Sequence, residues 1–127
     1  MTSALRVLVV DEDPDVRDLT TTFLERADDA ISTEAAGGGA AALERLEETA
    51  FDAVVSDLRM PRMNGIELAE AVRERHPDLP FVVFSAADDP DTAAAVEGAP
   101  IDAFVLTGSG TDHYDEIAAA IHEAREA

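Results

Sequence analysis

The sequence predicts a doubly wound α/β domain of five parallel strands and five helices, on three observations. Short aliphatic runs alternate with stretches of helical periodicity from one end of the chain to the other. Two of the runs lead straight into carboxylates: Leu5 to Val10 stops at Asp11, and Ala53-Val54-Val55 passes through Ser56 to Asp57. Proline and glycine then punctuate the segments that follow, as at Pro14, Pro61 and Gly65.

Each element has its own signal. Leu5 to Val10 is a β-branched and aliphatic run apart from Arg6, as suits a central parallel strand covered on both faces. Pro14 fits the first turn of a helix and Asp13 its cap, and Val16, Leu19, Phe23 and Leu24 recur at helical spacing, predicting a helix over 14–27. Ile31 to Ala35 is short and polar at alternate positions, and is read as a strand because the alternating pattern requires one. Gly37-Gly38-Gly39 lacks the spacing and the lysine of a phosphate-cradling loop and reads as the start of a second helix, with Ala41, Leu43 and Leu46 before Glu47-Glu48. The third strand is predicted over 52–56. Ile66, Leu68, Ala69 and Val72 form a third helix ending near His76-Pro77. Phe81 to Phe84 is a fully apolar strand running into Ser85-Ala86-Ala87, and 88–98 is an alanine-rich helix closed by Gly98. Ala103 to Leu106 is the fifth strand, broken off by Thr107-Gly108-Ser109-Gly110. Thr111 or Asp112 then caps a last helix with Ile117, Ala118 and Ile121 on its apolar face.

This alternation predicts a flavodoxin-like sheet in the order 2-1-3-4-5. In such a sheet the carboxyl ends of strands one, three, four and five share one edge, which is where ligands bind. Asp11, Glu12, Asp57, Ser85 and Thr107 arrive there. Three carboxylates at one spot repel each other, and a hard divalent cation with oxygen ligands, Mg²⁺, resolves that repulsion.

At 127 residues the chain is predicted to form a single domain spanning 1–127, and 46% hydrophobic residues suffice for its core. No cysteine is present, so disulfides and thiolate metal sites are excluded. No signal peptide or membrane-length apolar run is evident, and a cytoplasmic location is expected. With 28 acidic residues against 9 basic ones the formal net charge is −19, and all nine cations are arginine. Such a chain repels polyanions, which argues against direct nucleic-acid binding. Acidic excess, abundant alanine, few aromatics and no lysine together resemble a protein of a halophilic archaeon.

Asp57 followed by Met60-Pro61 and Gly65, together with the acidic pair after the first strand, resembles the receiver domain of two-component response regulators across essentially the whole chain. The resemblance implies that Asp57 accepts a phosphoryl group from a sensor histidine kinase. It implies Mg²⁺ held by Asp11, Glu12, Asp57 and the backbone carbonyl of Arg59. Ser85 matches the family's hydroxyl residue and Phe104 its switch aromatic. The implied output surface is helix four, strand five and helix five, which would contact a downstream output domain or protein, or a second copy in a homodimer. Two departures stand out: Glu12 replaces the usual aspartate, and Thr107 falls where the family carries a lysine. A unit charge at 4 Å in a partly screened site is worth about 4 kcal/mol before desolvation, so its loss bears on the activated state.

Other readings fit less well. A pseudoreceiver would bind partners without phosphorylation. A phosphohydrolase with an aspartate nucleophile would match Asp11 and Asp13, but it needs a catalytic lysine. A calcium loop starting at Asp11 fails because Val16 takes the glycine position and Thr22 the bidentate glutamate position. His76, His113 and His122 are scattered singly, without a second ligand at metal-binding spacing.

Overall fold

A computed structural model describes residues 5–86, 90–107 and 112–126. The elements run β1 (Leu5–Val10), α1 (Pro14–Ala27), β2 (Ile31–Ala36), α2 (Gly39–Glu48), β3 (Ala53–Asp57), α3 (Gly65–Arg75), β4 (Phe81–Ser85), α4 (Pro90–Val96), β5 (Ala103–Leu106) and α5 (Asp112–Glu126). All pairings are parallel and the strand order is β2-β1-β3-β4-β5, as the alternation predicts. The predicted helix start at Asp88 and the Thr111 cap lie outside the described residues.

The sheet separates two apolar layers. On one face Val7, Val9, Val55, Val82 and Val105 pack with Leu24 of α1 and Ile117 and Ile121 of α5. On the other, Leu8, Val10, Val54, Phe81 and Val83 pack with Leu46 of α2 and Leu68 and Val72 of α3. Because β1, β3 and β4 are buried on both faces, their sequences are mostly apolar runs rather than alternating ones, broken by exposed Arg6 and by the polar residues that end β3 and β4. Among the described residues no helix is long and apolar enough to cross a membrane.

Some faces and boundaries differ from the sequence expectation. β3 begins one residue later and includes Asp57, which sits in register with Phe84. α1 buries Thr20 and Leu24, whereas Val16 and Leu19 are exposed. Thr20 tolerates burial because its hydroxyl donates to the Val16 carbonyl at 2.8 Å. α2 turns Ala42 rather than Ala41 inward.

Candidate functional site

Four strand ends build the carboxyl edge of the sheet. Asp11 follows β1, and its amide donates to the Ala36 carbonyl at 3.1 Å, continuing the ladder with β2. Its Oδ1 accepts from the Asp13 amide at 2.9 Å, and its carbonyl accepts from Arg17 Nη1 at 2.9 Å. Asp13 in turn caps α1, accepting from the amides of Asp15 and Val16, so the acidic triplet is divided between site and helix start. Asp11 is left 2% exposed, with a buried Oδ2 that has no hydrogen-bond partner among the described residues.

Asp57 closes β3. The next amide, Leu58, donates to the Phe84 carbonyl at 2.9 Å, and the Leu58 carbonyl accepts from Gly65 at the start of α3. The loop is therefore tied at both ends, with Arg62 at a φ of 71° inside it. Asn64 and Glu67 form a reciprocal capping box on α3. Gly65 is required by close approach: a Cβ there would lie 2.6 Å from the Asp57 carbonyl oxygen.

Electrostatics single out the same two carboxylates. The Asp57 carboxyl is pushed up from 3.8 to about 6, first by burial and then by the negative charge of Asp11. The amides of Arg59 and Leu58 and the Arg59 guanidinium pull the other way. Asp11 is also raised, first by burial, with Asp13 and Glu12 adding repulsion. Glu12 stands apart. It is exposed, and its Cγ lies 3.9 Å from where Gly38 would carry a Cβ, toward the loop before α2. Among the described residues no group of three or more Asp, Glu, His or Cys side chains is arranged to hold a metal ion. What the structure does bring together is the pair Asp11 and Asp57.

Ser85 ends β4 and is 2% exposed, and its carbonyl accepts from the Thr107 amide at 2.9 Å. Thr107 is half-buried just past β5. Phe104, in register with Val83, is partly buried against the layer that holds α2 and α3. Two residues had no place in the sequence reading of the site. Arg17 fixes the Asp11 carbonyl, and Thr92 of α4 accepts from Arg59 Nη2 at 2.6 Å. The available hint for Thr92 was a lone hydroxyl beside three alanines in α4.

The chain is 33% identical over 121 residues to the DNA-binding transcriptional regulator NtrC of Escherichia coli, an alignment covering 87% of this chain and 25% of that protein. It is 37% identical over 100 residues to a putative transcriptional regulator of Haloferax volcanii, covering 79% of this chain and 16% of the other. The chain thus spans a quarter or less of the length of these two curated relatives. The fold matches that of the response regulator protein TrrA of Thermotoga maritima in complex with Mg²⁺ and BeF, with a TM-score of 0.79, 23% identity, and coverage of 94% and 98% of the two chains. The family model of the response regulator receiver domain matches residues 7–117, a span that contains every strand-end residue described above, and the chain therefore belongs to the receiver domain family.

Proposed function

We propose that this chain takes a phosphoryl group from the phosphohistidine of a sensor kinase onto Asp57 and signals through α4, β5 and α5. Receiver domains are signalling domains, phosphorylated by sensor histidine kinases and often linked to output domains, and they generally bind Mg²⁺. The observation that carries the reading for this chain is the carboxylate pair. Asp57 has a pKa raised to about 6 beside Asp11, whose buried Oδ2 has no hydrogen-bond partner among the described residues. A buried oxygen left this way is costly unless something absent from the free chain satisfies it.

A divalent cation fits that donor set. Asp11, Asp57 and the Arg59 carbonyl would hold Mg²⁺, with Glu12 reaching it through water, and bound Mg²⁺ supplies neutralisation of charge on the transferring group. The chain's own residues do the rest. Asp57, ionised at neutral pH, attacks phosphorus through a carboxylate oxygen. The P–N bond to the kinase imidazole breaks as the O–P bond forms. The loop tied through Leu58 and Gly65 keeps Asp57 in place. Ser85 donates to a phosphoryl oxygen, drawing in the segment after β4, and Phe104 turns inward in response.

Intact mass with a small phosphodonor and Mg²⁺ tests the assignment. Asp57→Asn should abolish the mass gain and Asp13→Asn should retain it. Thr107 in the family's lysine position favours one second reading, a pseudoreceiver that binds partners unphosphorylated. A native chain that gains no mass supports that reading instead. The net charge of −19 and the Haloferax relative support work in a salt-rich cytoplasm. Thermal midpoints should then keep rising into molar KCl, and a plateau above about 0.2 M, where screening is already strong, removes that part of the proposal.

A further inference from the structure

We infer that Arg17 is a positioning residue for the metal site: its guanidinium locks the peptide between Asp11 and Glu12, which keeps the free Asp11 carboxylate oxygen beside Asp57 and sends Glu12 toward Gly38. The inference rests on Asp11 being a ligand of the cation proposed above. Its geometric basis is a closed ring of three hydrogen bonds. The Asp13 amide donates to Asp11 Oδ1 at 2.9 Å, the Arg17 amide to the Asp13 carbonyl at 2.9 Å, and Arg17 Nη1 to the Asp11 carbonyl at 2.9 Å.

The partner of this guanidinium is neutral although anions abound. Glu12, Asp13, Asp15 and Asp18 all lie close to Arg17 in the sequence, in a chain of 28 acidic residues, yet among the described residues Arg17 forms no ion pair and bonds a main-chain carbonyl. A guanidinium gains more from a carboxylate than from a carbonyl, so the choice reflects where the side chain is held. It is half-buried, and Nη1 lies 3.4 Å from where Gly37 would carry a Cβ, between the β1–α1 loop and the segment before α2.

The ring matters for what it leaves over. Asp11 has its amide bound to the Ala36 carbonyl, its own carbonyl to Arg17 and its Oδ1 to the Asp13 amide, so that Oδ2 alone is without a partner among the described residues. An entering cation therefore meets a ligand already oriented. Without Arg17 the Asp11–Glu12 peptide is free to rotate, and rotation moves both side chains: Asp11 loses its aim and Glu12 is released from Gly38. Charge alone acts in the opposite direction, because removing a cation beside the site relieves repulsion of Mg²⁺ and tightens its binding. The sign of the change separates positioning from simple electrostatics.

The test uses the nitrogen-15-labelled full chain in high salt, as native protein, Arg17→Ala, Arg17→Met and Arg17→Lys. Mg²⁺ affinity, read from the amide shifts of residues 57–59, should fall about tenfold in Arg17→Ala and Arg17→Met, the worth of a partner that orients a metal ligand. Arg17→Lys, which restores a charged donor on a long stem, should return to within about threefold of native. Beryllofluoride, as the phosphoryl mimic, should half-saturate the Ala and Met variants at about tenfold higher Mg²⁺ than the native chain. In the metal-free chain, solvent exchange of the Asp13 amide should quicken about fivefold in those two variants, as for the loss of one hydrogen bond, while the Leu24 amide further along α1 stays native-like. Mg²⁺ affinity that is unchanged or tighter in Arg17→Ala overturns the positioning role and leaves Asp11 as a ligand. Faster exchange along the whole of α1 overturns it too, since that marks ordinary support of the helix. A native chain whose amides do not respond to Mg²⁺ overturns the ligand assignment and this inference with it.

Discussion

Helices α4 and α5 follow neighbouring strands of one sheet, yet they are held to it by different means. α5 spans 15 residues and buries Tyr114, Ile117, Ala118, Ala120 and Ile121. It is also joined to α1, through Tyr114 stacked on Phe23 at 5.2 Å and through His122 paired with Asp28. α4 spans seven residues, buries Thr92, and is held by a hydrogen bond from a loop at the candidate site. Apolar burial is non-directional and does not respond to a charge appearing nearby, whereas a charge-assisted hydrogen bond does. Among the described residues one side of the sheet edge is thus fixed by apolar burial, while the other carries a polar contact to the site loop.

The sharpest way to break this contrast is to cut equally into both helices. Ile117→Ala, at a fully buried position, should cost about 3 kcal/mol. Val96→Ala at the end of α4 should cost under about 1 kcal/mol. Urea unfolding at fixed high salt measures both, and equal losses would mean that α4 is packed as firmly as α5.

Gly65→Ala probes the firm side nearer the site. The new Cβ meets the Asp57 carbonyl at 2.6 Å, which is backbone and cannot swing aside. A loss of about 2 kcal/mol is expected, together with weaker beryllofluoride binding because the acceptor is displaced.

Asp57 itself lies between the two sides, and its raised pKa gives a signed prediction. A carboxyl whose folded pKa lies above its unfolded value makes the folded state less stable once it ionises. That cost is complete above about pH 6 and vanishes below about 3.8. Asp57→Asn should therefore stabilise the metal-free chain by about 1–2 kcal/mol at pH 7, after discounting for solvent screening, and the gain should fade as pH drops toward 4. Thermal midpoints of both proteins from pH 4 to 7 check this, and a constant difference would place its cause elsewhere.

The smallest effect is expected at the α1–α5 clasp. Asp28 has its carboxyl held below the usual range, first by the hydrogen bond with His122 and then by the Ala30 amide. Its contribution is present above about pH 4 and lost as pH falls through the lowered value. His122→Ala should cost about 0.5 kcal/mol at pH 6, and Asp28→Ala more, because it also removes the bond to Ala30 N. Urea unfolding of the two variants beside the native chain measures the difference.

The central strands are legible in the sequence because a strand covered on both faces is apolar along its buried length, and β1, β3 and β4 largely are. The same runs mark Asp11 and Asp57, since a carboxylate ending an apolar strand cannot continue into the core. Which side of a helix faces the sheet is not legible in the same way. Val16 and Leu19 have the spacing for the core face of α1, yet they are 36% and 50% exposed while Thr20 is buried. Helical periodicity defines a stripe, but docking of α1 against β2 and α5 selects the stripe that is covered, and a threonine enters once its hydroxyl bonds within the helix.

Composition alone determined that the edge lacks a lysine and that every cation in the chain is an arginine. Only the tertiary structure decided how the charges at that edge are divided. Asp11 and Asp57 meet because β1 and β3 are neighbours although α1, β2 and α2 lie between them in the chain, while Glu12, adjacent to Asp11 in sequence, leans toward Gly38. Arg59 reaches Thr92 because the crossover through α3 and β4 returns α4 to the loop after β3. Local sequence sets which groups are available, and the winding of the sheet sets which of them come within reach of one another.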